Sequence, residues 1–357
     1  MTTTTHHRST PTYLLPGGLS PFQNKLYRHL IDWKWAHGIK EPGKFRKTNK
    51  AGVVVEYLYD AMLPEDFATE QRWPHLHPAA ASQLRRHMGR NKFRIHNHFY
   101  HMASSQAANL NLFLPLLIHR DAAAILRALR PDFASLATDA LDNGYCVEYW
   151  GGNFAPSGGK LKDASPLRDK TARTGTDADI AIAYRNLAGE LCLWLVEHKL
   201  TEQEFTACGG AKSKGRTAHH SCAHGLGDIL ADKSLCYYHD VNKYAYWDIT
   251  EANRELFVGH AAHTSCPFKG GMNQLWRNLL LARALEAQGD YKHVFFSVVR
   301  HPDNHALDGS LKTFQELIGG HPSFSTLTSR EVVVAAERLD DPELNAWAQW
   351  YRDLYKV

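Results

Sequence analysis

The sequence lacks a long apolar run. Its longest largely apolar stretch covers residues 110–118 (LNLFLPLLI) and is interrupted by Pro115. Because a membrane-spanning helix needs about 20 apolar residues, we expect no segment to cross a bilayer. The first residues, MTTTTHHRSTPT, lack the charged and apolar regions of a secretory signal. Together these absences predict a cytoplasmic protein with no membrane partner.

Cysteine is scarce, and no Cys-x-x-Cys pair is present among the six cysteines. In a cytoplasmic chain we expect them to be reduced, which favours metal binding over disulfides where they cluster. Four thiolates in one polar insertion can hold a structural Zn²⁺. An iron–sulfur cluster is an alternative, and cysteines that fill small apolar gaps are another. The four candidates, all within residues 200–269, are Cys208, Cys222, Cys236 and Cys266.

The chain also lacks a strong charge of one sign, since its formal net charge is +4. This value permits a nucleic-acid partner without requiring one. Residues 34–50 carry six basic side chains against the single acid Glu41, and residues 85–94 carry five with no acid. Such runs favour a surface that contacts phosphates, while solvated basic faces are the plainer interpretation.

The 357 residues are enough for one large domain with additions. Residues 1–19 are rich in Thr, Pro and Gly without periodicity, and we predict that they are disordered. Residues 20–100 are expected to form a helical and basic extension, which begins with a helix at Ser20 and Pro21. Residues 101–357 are expected to form the core, with an insertion at residues 200–270.

The core pattern has the order helix, three strands, insertion, helix, strand. This order predicts an α/β (α+β) fold in which helices flank a mixed central sheet. The run LCLWLVEHK is nearly all apolar until its end, which is typical of a central strand. The predicted elements are a helix at 103–117, strands at 145–150, 179–184 and 191–199, a helix at 272–288, a strand at 292–299 and a last helix that opens at Asp341 and Pro342.

Three side chains at the ends of two predicted strands suggest chemistry. Because side chains alternate along a strand, Glu197 and Lys199 share one face and His198 points to the other. Asp179 begins the partner strand and can place its carboxylate beside Glu197. Two adjacent carboxylates are costly without a cation, and oxygen ligands of this kind suit Mg²⁺. The ammonium of Lys199 can then orient a water or stabilise charge on a phosphate, which predicts phosphodiester hydrolysis.

Other interpretations of these residues remain open. A Glu-x-Lys tripeptide is common by chance, so the trio can also be a surface ion pair at a strand end. A protein that binds nucleic acid without cleaving it is a second hypothesis. The run Asp177-Ala178-Asp179 also spells the D-x-D of metal-dependent glycosyltransferases. That hypothesis leaves Glu197 and Lys199 without a role.

The segment TGTDADIAIAY followed by LCLWLVEHKLTE resembles the core of the PD-(D/E)XK nuclease superfamily. SSQAANLNLF and LDDPELNAWAQWYRDLY are similar to segments of an uncharacterised bacterial group of restriction-endonuclease-like proteins within it. The resemblance implies a Mg²⁺-dependent DNA endonuclease of restriction or defence type, in which Asp179 and Glu197 bind metal and Lys199 assists the water. Restriction-type cutting of both strands would favour a homodimer.

The resemblance also leaves residues in doubt. Gln274 is similar to a glutamine that some members of the superfamily place near the site, or it is simply a polar residue at a helix start. Many members carry an acid on the first core helix, but residues 103–117 contain none. Glu148 is the nearest replacement as a metal ligand, with a solvated edge glutamate as the alternative. Asp177 competes with Asp179, which we prefer because the apolar strand starts directly after it.

A cluster of histidines precedes the predicted first core helix. His96, His98 and His101 can bind metal or phosphate if the segment is extended. In a chain with 22 histidines such a run also arises without any function.

Overall fold

A mixed six-stranded β-sheet forms the centre of the protein. The computed structural model describes residues 12–48, 52–91, 93, 95–152, 165–170 and 175–357. Two further strands form a separate antiparallel hairpin, β1 (Gly43–Thr48) and β2 (Val54–Tyr59). The strands of the central sheet are β3 (Phe133–Leu136), β4 (Tyr145–Tyr149), β5 (Ala178–Asn186), β6 (Leu191–Lys199), β7 (His293–Arg300) and β8 (Phe324–Thr328).

The sheet is antiparallel at one side and parallel at the other. Strands β3 and β4 lie end to end along one edge of β5, and both pair with it antiparallel. Strand β6 pairs antiparallel with the other edge of β5, and β6, β7 and β8 follow in parallel. Every residue of β6 after Leu191 is buried. Its nearly continuous apolar sequence therefore reflects a strand that is covered on both faces.

Helices cover both faces of the sheet, and a separate hydrophobic cluster lies between each face and the helices that cover it. The first cluster packs under α1, α3, α4, α5, α11 and α12. The second packs under α6, α8, α9 and α10. The helices of the described residues are α1 (Pro21–Ala36), α2 (Glu65–Thr69), α3 (Pro78–Met88), α4 (Ser105–Leu117), α5 (Ala122–Leu129), α6 (Leu226–Ala231), α7 (Tyr237–Asp240), α8 (Tyr246–Ala252), α9 (Met272–Ala287), α10 (Asp308–Leu317), α11 (Ser329–Glu337) and α12 (Pro342–Tyr355).

The alternation of side chains along β5 assigns each residue to one face. Ile180 and Ile182 pack into the first cluster, whereas Ala181 and Ala183 pack into the second. Ala178, at the start of β5, breaks this alternation because it also packs into the second cluster, whereas Ala181 and Ala183 face α9. Leu193 and Leu195 of β6 also pack into the second cluster.

The fold class predicted from the sequence is confirmed, because helices flank a mixed central sheet and the expected order of elements is present. The elements that were not predicted are strands β1, β3 and β8 and helices α2, α3, α5, α6, α7, α8, α10 and α11. Among the described residues, no helix is long and apolar enough to span a membrane.

The N-terminal segment differs from expectation where the structure describes it. We predicted disorder for residues 1–19, of which 1–11 lie outside the described residues. Leu14 instead forms two hydrogen bonds with Asp60. The backbone N–H of Leu14 donates to the carboxylate of Asp60 at 2.7 Å, and the backbone N–H of Asp60 donates to the carbonyl of Leu14 at 3.0 Å. The predicted start of α1 is present, with Ser20 as the N-cap of a capping box completed by Gln23.

The first basic run is only partly available to a ligand. Lys34 is buried and donates hydrogen bonds to the backbone oxygens of Glu41 and Met62, at 2.9 and 3.2 Å. Burial lowers the pKa of Lys34 to about 8. Lys44 and Arg46 of β1 pair with carboxylates, those of Glu56 and Glu65. Lys34 is therefore withdrawn from the surface, whereas Lys40 and Lys47 remain exposed, and contact of this run with phosphates stays a prediction.

The second basic run is also engaged within the protein where it is described. Arg85 lies over the ring of Trp73, with 4.4 Å from its Cζ to the ring centroid. Arg86 and Arg90 bond to groups near β4, the hydroxyl of Tyr145 and the carboxylate of Asp142. Residues 92 and 94, which belong to the same run, lie outside the described residues.

Candidate active site

Asp179, Glu197 and Lys199 lie close together at the end of β5 and β6, where their charges influence one another. Ile180 pairs with Val196, and continuing this antiparallel register places Asp179 opposite Glu197. Glu197 faces α9, because it accepts hydrogen bonds from Gln274 and Asn278 of that helix. The structure thus brings together the three side chains that the sequence suggested.

Glu197 is fixed in place by three donors. One carboxylate oxygen accepts hydrogen bonds from Lys199 Nζ and Gln274 Nε2, each at 2.7 Å. The other accepts a hydrogen bond from Asn278 Nδ2 at 2.9 Å. Glu197 is only 4% exposed, so these bonds hold its carboxylate in one orientation inside the protein.

The carboxyl group of Asp179 is half-buried and lies close to two other carboxyl groups. Its Oδ2 accepts the backbone N–H of His198 at 2.6 Å. Burial, followed by the negative charges of Glu197 and Glu148, raises the pKa of Asp179 well above its ordinary value. A divalent cation would remove this repulsion, since it supplies the positive charge that the neighbouring carboxylates lack.

Glu148 is buried and does not behave as a solvated edge glutamate. Val147 pairs with Ile180 and Tyr149 with Ala178, so Glu148 stands opposite Asp179. It is 6% exposed and adopts a left-handed backbone with φ of 52°, which is uncommon for a non-glycine residue. A row of three carboxyl groups therefore crosses β4, β5 and β6.

The first core helix supports this row without an acid of its own. Gln106 of α4 donates to Glu148 Oε1 at 2.6 Å. His96 lies 3.5 Å from the other oxygen of Glu148, and this hydrogen bond raises the pKa of His96 above its ordinary value. His98 stacks on Phe45 and His101 is buried, so neither lies against Glu148 as His96 does.

Lys199 is a permanent cation in this setting. Burial alone would lower its pKa, but the carboxylates of Glu197 and Glu202, together with Asp179, raise the pKa above the ordinary value. The side chain therefore keeps its proton near neutral pH. An ammonium of this kind can stabilise charge on a phosphate, and it cannot accept a proton from water.

Asp177 occupies a different environment from Asp179. Its Oδ2 lies 2.7 Å from Lys170 Nζ in an ion pair, and its side chain is about one-third exposed. An aspartate that is already paired and near solvent has less need of a metal ion. The geometry therefore favours Asp179 over Asp177 as the aspartate of the site.

The donor set fits a hard divalent cation, since all three carboxyl groups offer oxygen ligands. Their oxygen atoms do not all lie within 4.8 Å of one another. In the described residues, the only group of three or more metal-ligating side chains that does so is His119, Asp121 and Asp341. That group caps α12, where Asp341 accepts the backbone N–H groups of its first turn. An ion at the row would have to draw the mutually repelling carboxylates together.

Asn278 and Gln106, which donate hydrogen bonds to Glu197 and Glu148, were not predicted. Asn278 lies one helical turn after Gln274 on α9, so the spacing of four residues was a usable signal. Gln106 and His96 meet Glu148 only through the tertiary fold, and no local pattern reveals that contact. His198 points to the opposite face, where burial lowers its pKa to about 3 and keeps it neutral.

A model of the REase-ARP family, described as restriction endonuclease associating with ARP, matches residues 29–356. The chain belongs to this family. The REase-ARP match covers nearly the whole chain and includes β4, β5, β6 and α9, which build the row of carboxyl groups. It supports a restriction-endonuclease type of function with DNA as substrate. The comparisons matched no curated protein and no solved structure.

Proposed function

We propose that this REase-ARP protein is a Mg²⁺-dependent DNA endonuclease of the PD-(D/E)XK type. The observation that carries the proposal is the row of Glu148, Asp179 and Glu197 on three neighbouring strands, with Lys199 beside it. The family supports the restriction-endonuclease class. The raised pKa of Asp179 supports a site that needs a cation.

Each residue has a distinct role in this proposal. Asp179 and Glu197 hold the ion, and Glu148 completes the ligand set from the neighbouring strand. Mg²⁺ supplies Lewis-acid polarisation of the scissile phosphate and of the attacking water. Lys199 places its positive charge where negative charge develops on the phosphate. Gln274 is a positioning residue, because it acts through its hydrogen bond to Glu197.

A groove beside the site offers a path for a DNA strand. It has a volume of about 760 Å³ and an inner wall that includes His96 and Glu202. His96 contacts Glu148, so this wall adjoins the row of carboxyl groups. The outer wall is the β1–β2 hairpin, which contributes cations and aromatic rings, those of Arg46, Lys47, Phe45, Tyr57 and Tyr59.

A cleavage assay with matched variants tests the proposal. Circular, linear and single-stranded DNA are incubated with Mg²⁺ or with chelator, using wild type, Asp179→Ala, Lys199→Ala and the control Asp177→Ala. We expect Mg²⁺-dependent cleavage by wild type and by the control, and a loss of about 10²–10³-fold or more in the two site variants. Equal cleavage by wild type and Asp179→Ala would refute the assigned site.

The same assay separates the nuclease from a protein that only binds DNA. A protein that only binds DNA would slow the migration of DNA on a gel, as wild type and as every variant, and would cleave none of the substrates. A homodimer, which would suit restriction-type cutting of both strands, stays a prediction. Light scattering of the purified protein in the presence of DNA measures its oligomeric state.

A further inference from the structure

The insertion between β6 and α9 brings four distant cysteines into one region. Its regular structure consists of short helices, of which α8 with seven residues is the longest. So little regular structure gives a weak framework of backbone hydrogen bonds, and such segments are often held by a metal. Cys208 and Cys266 are buried, and Cys222 and Cys236 are half-buried.

Backbone hydrogen bonds link three of the four. The N–H of Cys208 donates to the carbonyl of Lys269 at 3.3 Å, and the N–H of Lys269 donates to the carbonyl of Cys266 at 3.4 Å. The N–H of Cys266 donates to the carbonyl of Cys222 at 3.2 Å. Three chain segments that are far apart in sequence are thus fixed side by side at their cysteines.

Cys236, at the start of α7, joins this group through two further contacts. The ring of Tyr238 packs so closely on the backbone after Cys208 that a Cβ on Gly210 would lie 3.1 Å from it. On the other side, His220 Nε2 lies 2.9 Å from an oxygen of Asp240, which ties α7 to the segment of Cys222. The four cysteine segments therefore form a closed ring of contacts.

Backbone N–H groups are directed at two of the four sulfurs, although burial raises the pKa of both thiols. Burial raises the pKa of Cys208 to about 11, while the backbone N–H groups of Ala211 and Gly210 favour its thiolate. Burial also raises the pKa of Cys266, and the N–H of Phe268 opposes that shift. N–H groups directed at a sulfur from two or three residues further along stabilise a metal-bound thiolate.

We propose that one metal centre is bound by four thiolates, those of Cys208, Cys222, Cys236 and Cys266. The centre fastens the insertion against α9. Thr206, two residues before Cys208, donates its backbone N–H to Gln274 Oε1 at 3.2 Å. Tyr246 and Trp247 of the insertion pack on Trp276 of the same helix.

As they stand, the sulfurs are too far apart to hold a single zinc ion, and an iron–sulfur cluster is the wider alternative. Zn–S bonds of about 2.3 Å in a tetrahedron would place the sulfurs roughly 3.8 Å apart. In the described residues no three of these sulfurs lie within 4.8 Å of one another. A cluster of several metal ions spreads its four cysteine ligands more widely than one ion does.

Metal analysis of the whole protein tests the proposal without any activity measurement. The full chain is purified without oxygen from cells supplied with iron and zinc, washed with chelator, and measured by elemental analysis, sulfide analysis and visible absorption. We expect either about four irons with sulfide and a brown colour, or one zinc per chain. Iron with sulfide supports the cluster. Zinc supports the four-thiolate centre and refutes the argument from spacing. Wild-type protein with neither metal overturns the proposal.

Variants identify the ligands. Cys222→Ser and Cys266→Ser should each lose most of the metal and lower the melting temperature. Cys192→Ser, which changes a buried cysteine of β6, is the matched control and should keep the metal. Full metal content in Cys222→Ser and Cys266→Ser would overturn the assignment even if both variants fold poorly. Asp179→Ala should retain the metal, so failure of the nuclease proposal leaves this result unchanged.

Discussion

At the scale of single residues, the negative charge of Asp179 is destabilising in the folded protein. The pKa of this carboxyl group in the folded chain lies above the ordinary value of 3.8. Such a group contributes stability that is fully present below its unfolded pKa and is lost as the pH rises through its folded pKa. Metal-free protein should therefore lose stability as the pH increases from about 4 towards neutral.

Asp179→Asn tests this dependence directly. The amide keeps an acceptor for the N–H of His198 and removes the charge, so the melting temperature in chelator at pH 8 should rise by a few degrees, roughly 1–2 kcal/mol for a chain of this size. Melting curves from pH 4 to pH 8 make the measurement, with Asp177→Asn as the control. An unchanged slope with pH in Asp179→Asn would contradict the role of its charge.

Lys199 should be separable from metal binding. Lys199→Ala removes a cation that offsets the carboxylates, so the ion should bind as tightly as in wild type or more tightly, while cleavage falls by about 10²-fold or more. The increase in melting temperature with Mg²⁺ measures binding, and plasmid nicking measures turnover. Loss of both effects together would assign Lys199 to the fold instead of the reaction.

At the scale of elements, α9 orients Glu197 through residues one turn apart. Gln274→Ala and Asn278→Ala should each raise the Mg²⁺ concentration for half-maximal cleavage by about 10–100-fold, because removal of such supporting contacts weakens metal sites to that extent. Gln349→Ala, on the exposed side of α12, is the control. An unchanged Mg²⁺ requirement with a lower maximal rate would instead place these side chains at the substrate.

The elements that build the site were the ones with a readable pattern. The β5–β6 hairpin has apolar residues bounded by turn residues, and α9 has a long helical repeat. Strand β3 spans four residues with only Phe133 fully buried, and β1 is mostly exposed, so neither has an alternation that distinguishes it from a loop. Such elements are determined by the partner strand, which the local sequence does not show.

The candidate site also has residues that the sequence pattern predicted and contacts that it did not predict. Asp179, Glu197 and Lys199 followed from alternation along two adjacent strands. The burial of Glu148 did not, because it depends on a left-handed backbone and on Gln106 of another element. The approach of His96 to Glu148 joins residues 52 positions apart and is set by packing alone.

At the scale of the whole molecule, the N-terminal extension is bonded to the end of the sheet that carries the row of carboxyl groups. Gln23 of α1 donates to the backbone oxygen of Thr201, two residues after Lys199, at 2.9 Å. On its other side, Asn304 donates to the backbone oxygen of Glu202 at 2.9 Å. The segment that follows β6 is therefore held from both sides, which keeps the groove and the row of carboxyl groups in a fixed relation.

We predict that the aromatic wall of that groove stacks against unpaired bases. Tyr57 and Tyr59 are parallel at 5.8 Å between ring centroids, Phe45 lies 5.5 Å from Tyr59, and Tyr57 is 44% exposed. Tyr57→Ala should weaken binding of a single-stranded oligonucleotide in chelator by about 1–3 kcal/mol, the value of one stacked base. Tyr57→Phe keeps the ring and should bind like wild type.

Fluorescence anisotropy over a range of salt concentrations measures how much the ring of Tyr57 and the charges of the hairpin each contribute to binding of the oligonucleotide. Because Lys44 and Arg46 are already paired with glutamates, few cations remain to release counterions, and the dependence of affinity on salt should be shallow. Lys47→Ala should lower that dependence further without changing the effect of Tyr57→Ala, since stacking does not involve counterions. If Tyr57→Ala and Tyr57→Phe bind equally, the hairpin contacts the DNA backbone and not its bases.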